Sequence, residues 1–116
     1  MGESVTEQEE LDAAVAAASQ AKALLLVRWT APWCPLCADT KLEGEDCVRA
    51  FGASACSVDL ADAGELALAH GVKRLPCVFV YSQGQRVANV VGRQQGAVRD
   101  ACREHAFATG VANDDF

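Results

Sequence analysis

Two cysteines three positions apart, Cys34 and Cys37 with Pro35 and Leu36 between them, are the residues of this chain best suited to chemistry. Disulfide exchange needs one thiol that ionises near neutral pH and a second within reach to expel the mixed disulfide, and a C-x-x-C opening a helix supplies both. Cys34, placed where unpaired backbone N–H groups and the positive end of the helix dipole favour a thiolate, is the expected nucleophile. Cys37, one turn further in and more shielded, is the expected resolving thiol. Trp33 beside the nucleophile offers a flat apolar surface to a docking peptide. The spacing alone also fits half of a zinc site or two core cysteines. A zinc knuckle needs a second close pair, and Cys47, Cys56, Cys77, His70 and His105 do not provide one, so no metal ligand is assigned.

The flanking pattern says what must position the pair. Thr6 and Glu9 form a capping box ahead of Leu11, Val15 and Ala18, which recur at helical spacing through an alanine-rich stretch ending near Ala21. Residues 23–29 are apolar and too short for a typical helix, which suits a buried strand ended by Thr30-Ala31-Pro32. Pro35 fits the first turn of a helix, where its missing N–H has no partner to lose, and the pattern from 36 to 51 is helical with a bend at Gly44. Residues 55–60 read as a second core strand and 61–70 as a short helix closed by Gly71. Two β-rich runs, 77–81 and 86–91, flank Ser82-Gln83-Gly84-Gln85 as a hairpin. Gly92 then opens a last helix with Val98, Ala101, Cys102 and His105 on one face. Parallel strands joined by helices, then a hairpin and a closing helix, predict a three-layer α/β/α arrangement with a central mixed sheet. The cysteine motif falls beyond the carboxyl end of a central strand, where ligands usually bind.

The segment Trp29-Thr30-Ala31-Pro32-Trp33-Cys34-Pro35-Leu36-Cys37 resembles the active-site segment of thioredoxins, and Gly71-Val72-Lys73-Arg74-Leu75-Pro76 before a strand resembles that family's cis-proline loop. The resemblance runs over nearly the whole chain, including the Gly84 turn and Gly92. It implies a thioredoxin fold over residues 1–116 as one domain, with Cys34 and Cys37 catalytic and no bound cofactor. It also implies that Leu75-Pro76 is cis and beside Cys34, with the Leu75 backbone and Trp33 receiving the substrate as an added strand. The implied activity is thiol–disulfide exchange as a protein-disulfide reductase, with disulfide proteins as substrates and a reductase or low-molecular-weight thiol as electron donor. The departures from the family are expected to modulate that activity. Proline stands first between the cysteines and Leu36 second, as in dithiol glutaredoxins, bacterial disulfide oxidases and tryparedoxins. Arg28 stands where the family usually has a buried aspartate thought to help deprotonate the resolving cysteine. Thr30 replaces a usual tryptophan, and Cys77 a usual threonine.

Composition bounds the rest. Length fits one domain, and the longest apolar stretch, 23–27, is strand-length. Ten basic against sixteen acidic side chains give a net charge of −6, which repels nucleic acid. The acidic start has neither a secretory nor a mitochondrial leader, so a cytoplasmic monomer without membrane association is expected, with most of the six cysteines reduced. Met1-Gly2-Glu3-Ser4-Val5-Thr6 fits the loose myristoylation pattern but lacks a second membrane signal. Cys47, Cys56 and Cys102 are read as small core hydrophobes. The N-terminal acids complement the first helix's dipole as a solvated face, and His70 meets a helix end or solvent. Lys73 and Arg74 border the expected substrate groove, there to meet either acidic partners or solvent. A different reading is a partner-binding thioredoxin-like domain of a multidomain monothiol glutaredoxin with little turnover. Arg28, Thr30 and the end at 113–116 favour it, and the intact cysteine pair favours the enzyme.

Overall fold

The computed structural model describes residues 3–92, 94 and 96–106. The Met1-Gly2 start of the lipidation pattern and the acidic end at Asp114 and Asp115 lie outside the described residues. The elements run β1 (Glu3–Ser4), α1 (Gln8–Gln20), β2 (Leu25–Thr30), α2 (Cys37–Phe51), β3 (Ser54–Asp59), α3 (Leu60–Ala69), β4 (Cys77–Ser82), β5 (Gln85–Val91) and α4 (Ala97–Ala106). Four main strands and the two-residue edge strand β1 form one mixed sheet in the order β1-β3-β2-β4-β5. β1 and β2 pair parallel with β3, and β4 runs antiparallel to both β2 and β5.

Alternation along the strands divides the core in two. Leu25, Val27 and Trp29 of β2 join Leu11 and Ala18 of α1 and Ala63, Leu66 and Ala67 of α3 on one face. On the other, Leu24 and Leu26 pack with Cys47 of α2 and with Val98 and Cys102 of α4. The three-layer α/β/α prediction therefore holds, with β2 buried from both sides as a near-continuous apolar run requires.

Several boundaries move. The capping box at the start of α1 pairs Glu7, the N-cap, with Glu10, whose Oε1 accepts from the N–H groups of Thr6 at 2.8 Å and Glu7 at 3.1 Å, so the box sits one residue later than Thr6 and Glu9 predict. These bonds hold the Glu10 carboxyl below its ordinary pKa. Strand β1 carries no readable signal because two residues are too few to show alternation; the parallel pairing of Glu3 with Cys56 and of Ser4 with Ser57 creates it. α2 runs unbroken through Gly44. Gly92 does not open the last helix: its φ of +78° and the +82° of Gly96 belong to the connection before α4. The hairpin is as expected, and positive φ at both Gln83 (54°) and Gly84 (84°) gives the two-residue turn the mirror-type twist that antiparallel strands need. Among the described residues no helix is long and apolar enough to cross a membrane.

Candidate functional site

β2 delivers the cysteine motif. Its last residues, Trp29 and Thr30, pair with Val58 and Asp59 of β3, and Trp29 is fully buried edge-on to Phe79 with ring centroids 5.3 Å apart. The chain then turns sharply: the Cys34 N–H donates to the Ala31 carbonyl at 3.1 Å and the Cys37 N–H to the Cys34 carbonyl at 3.3 Å. Regular helix begins at Cys37, with Leu36 as its cap, so Cys34 stands one turn ahead of α2 near the positive end of the dipole. Cys34 and Cys37 are joined as a disulfide with Cα atoms 5.6 Å apart. Thr40, buried one turn below, donates its hydroxyl to the Cys37 carbonyl at 2.8 Å and pins the inner half of the turn.

Exposure separates the two sulfur-bearing residues. Cys34 is partly exposed, whereas Cys37 is 3% exposed. Trp33 at 65% and Leu36 at 44% are exposed large apolar side chains on either side of Cys34. Pro35 is exposed between them.

Sheet register brings the second segment to the first. β4 is antiparallel to β2 with Trp29 opposite Cys77, so the residues just before Cys77 fall beside those just after Trp29. The Leu75-Pro76 peptide bond there is cis, as the resemblance implies. Pro76 is buried and its carbonyl accepts from the Gly92 N–H at 2.7 Å, tying the loop to the end of β5. Trp33, Cys34, Pro35 and Leu36 line one groove of about 360 Å³ with Leu60, Lys73 and Leu75. The expected neighbours of the nucleophile are thus together.

Arg28 and Cys77 lie elsewhere around the site. Arg28, half-buried, faces the α2 side and lines a cavity of about 540 Å³ with Thr40, Lys41, Gly44, Glu45 and Val48. Burial lowers the pKa of its guanidinium, which the negative charge of Glu45 opposes. Arg28 shares this cavity with Thr40, the residue bonded to Cys37. Cys77 points to the opposite face, into the core shared with Trp29 and Phe79. Burial pushes its thiol up to about 11, against the nearby Arg86 charge.

The remaining cysteines, Cys47, Cys56 and Cys102, are buried and outside any disulfide, as expected of core residues. Cys47 of α2 and Cys102 of α4 are hydrogen-bonded to each other, which no spacing in the sequence signals. His70 caps the end of α3, as expected, and its half-buried ring also packs against Trp29 at 5.7 Å and meets the Gln8 side chain at 2.7 Å. No group of three metal-ligating side chains converges among the described residues.

A mixed sheet between paired helices, with a disulfide at the head of a helix and a cis-proline loop beside it, defines the class of thioredoxin-fold redox proteins. The family model for thioredoxin matches residues 3–104, and the chain belongs to the thioredoxin family. Solved structures agree in fold. A thioredoxin mutant from Halobacterium salinarum superposes with a TM-score of 0.79 at 24% identity, covering 90% of each chain. Thioredoxin from Plasmodium falciparum gives 0.75 at 24% identity over 89% of this chain and 98% of its own. That of Fasciola hepatica gives 0.79 at 18% identity, with the same shares.

Proposed function

We propose that this chain is a protein-disulfide reductase working through a dithiol–disulfide cycle of Cys34 and Cys37. The observation that carries the reading is the asymmetry of the pair: a partly exposed Cys34 in a groove with Trp33 and Leu75, and a shielded Cys37 behind it. In the reduced protein the Cys34 thiolate attacks one sulfur of a substrate disulfide, forming a mixed disulfide and releasing the other substrate sulfur as a thiolate. The Cys37 thiolate then attacks Cys34, which expels the second substrate thiolate and leaves the Cys34–Cys37 disulfide. A reductase or a low-molecular-weight thiol returns the two electrons.

Trp33 and the Leu75 backbone receive the substrate as an extended strand, and Pro76 shapes the loop that presents it. Arg28, Pro35, Leu36 and Cys77 modulate the couple. A guanidinium cannot accept a proton, so Arg28 does not act as base for Cys37. Its charge favours thiolate and hence the reduced state, which makes the disulfide more oxidising. The protein acts as a cytoplasmic monomer in which residues 1–116 form one domain. The test is an insulin-type disulfide reduction assay with wild type and Cys34→Ser, run with several electron donors. Turnover by wild type that is lost in the variant supports the reading. Binding of partners with no turnover under any donor favours the partner-binding domain instead.

A further inference from the structure

Next to the active groove, on the face of the sheet that holds Trp29 and Phe79, lies a second cavity of about 310 Å³. Lys73, Arg74 and Arg86 line it, together with His70, Asn89 and Phe79, and no carboxylate does among the described residues. None of the three cations has an ion pair among the described residues; the pairs seen there are Arg49 with Asp46 and Arg103 with Asp100, both within single helices. The chain as a whole carries −6, with only ten basic side chains. Gathering three of them around one concavity that no carboxylate lines among the described residues is therefore a local reversal of sign, which favours an anion there.

The three are placed by different elements. Lys73 and Arg74 lie in the α3–β4 loop, and Arg86 comes from β5. The Arg86 guanidinium stands 4.3 Å over the Phe79 ring, which fixes its aim while leaving its N–H edge available. The Arg74 Nη2 lies 3.6 Å from the Cβ position of Gly92, which places that guanidinium against the end of β5. Lys73 lines both this cavity and the groove holding Cys34, so the two are neighbours with Lys73 between them.

We propose that the cation-lined cavity receives carboxylates of the disulfide substrate, so that the preferred substrates carry Asp or Glu within a few residues of the reactive cysteine. This rests on the disulfide-exchange reading for the groove itself. A strand paired to the Leu75 backbone advances about 3.3 Å per residue, so side chains near the substrate cysteine come within reach of Arg74 and then Arg86. The arrangement selects by charge at the mouth of the site and leaves the sulfur chemistry to Cys34 and Cys37.

The test uses the full chain, reduced and freed of reductant, in single-turnover reaction with peptide disulfides that differ only in flanking residues: acidic, neutral amide, or lysine. The acidic peptide is expected to half-saturate at roughly one-tenth the concentration of the neutral one at low ionic strength, with the maximal rate unchanged and the advantage erased by salt. The double variant Arg74→Gln, Arg86→Gln is expected to abolish the advantage and leave reduction of the neutral peptide as it was. Equal half-saturation of the three peptides by an active protein overturns the proposal and leaves disulfide exchange standing, as does an acidic preference that survives the double variant. If no peptide is reduced, the exchange reading fails. Anisotropy of a labelled acidic peptide with serine for cysteine then decides the cavity alone. Salt-sensitive binding lost in the double variant supports it, and no binding, or occupation by inorganic phosphate only, overturns it.

Discussion

The cavity behind α2 allows one substitution to be worked through. Gly44 lies in the middle of α2 and lines that cavity with Leu26, Val48 and Ala55. A Cβ built on Gly44 meets Leu26 Cδ1 at 3.9 Å, an ordinary van der Waals contact, so alanine enters without displacing anything. Exchange of glycine for alanine inside a helix contributes about 1 kcal/mol through the reduced freedom of the unfolded chain. The new methyl, partly buried against Leu26, adds up to about half of the ~0.8 kcal/mol of a fully buried methylene. Gly44→Ala is thus expected to stabilise the protein by about 1 to 1.5 kcal/mol. For a chain of this length that raises the melting temperature by about 4 to 6 °C and the urea midpoint by about 0.5 M. Gly52, at the end of the same helix, is the internal control. Nothing lies within 4 Å of its Cβ position, but its φ is +67°. Gly52→Ala is therefore expected to lose about 1 kcal/mol, the cost of a left-handed conformation, despite having more room. Both are read by calorimetry and urea unfolding of the reduced protein. An unchanged or lowered midpoint for Gly44→Ala would refute the helical backbone at Gly44 and the open cavity wall. A neutral Gly52→Ala would mean that the helix end relaxes.

After reduction, Cys34 is expected to be alkylated first at mildly acidic pH, with Cys37 following slowly because it is 3% exposed; mass mapping that finds Cys37 labelled first reverses their roles. Trp33→Ala is expected to raise the half-saturating peptide concentration roughly 5- to 10-fold with little change in the maximal rate, since it removes docking area only. Arg28→Asp is expected to shorten the lifetime of the mixed disulfide, by up to about 100-fold if the new carboxylate reaches the Cys37 proton, and to make the potential more reducing; an unchanged lifetime and potential would remove Arg28 from the chemistry. The Cys77 thiol is raised from 9.0 to about 11 in the folded state, so the folded form retains a proton that the unfolded form gives up. Its contribution is complete below pH 9 and is lost as pH climbs toward 11, and Cys77→Ala should flatten that part of the urea-midpoint profile, leaving the share of Cys102, whose thiol is also raised, by the hydrogen bond with Cys47 and then by burial.

Where the sequence is legible, a local rule and the tertiary environment agree. The β2 run and the Cys34–Cys37 turn are both readable, because an apolar stretch needs two covered faces and a proline between two cysteines suits a helix start. Gln83-Gly84 announces its hairpin through backbone conformation alone. The helix stays unbroken at Gly44, where propensity alone would loosen it, because that position packs against Leu26 of β2. α4 starts at Ala97 rather than at Gly92 because Gly92 is held by the Pro76 carbonyl, a contact between residues distant in sequence. For the same reason the Cys47–Cys102 contact, the stacking of His70 on Trp29 and the approach of Arg86 to Lys73 and Arg74 leave no trace in any single segment. Each joins two elements whose faces meet only after folding.

The distribution of sulfur through the fold bears on how the protein must be handled and made. In the folded chain the disulfide at the head of α2 holds the one partly exposed cysteine, while Cys47, Cys56, Cys77 and Cys102 are all buried. An oxidant meeting the native protein thus has a single outlet and yields one product. The unfolded chain is different, since six cysteines allow 15 complete pairings. Burial is therefore what enforces chemical selectivity, and it exists only once the two helical layers have closed over the sheet. Refolding is expected to be clean when reductant is kept until the core has formed, and to scatter into mispaired species when oxidation comes first.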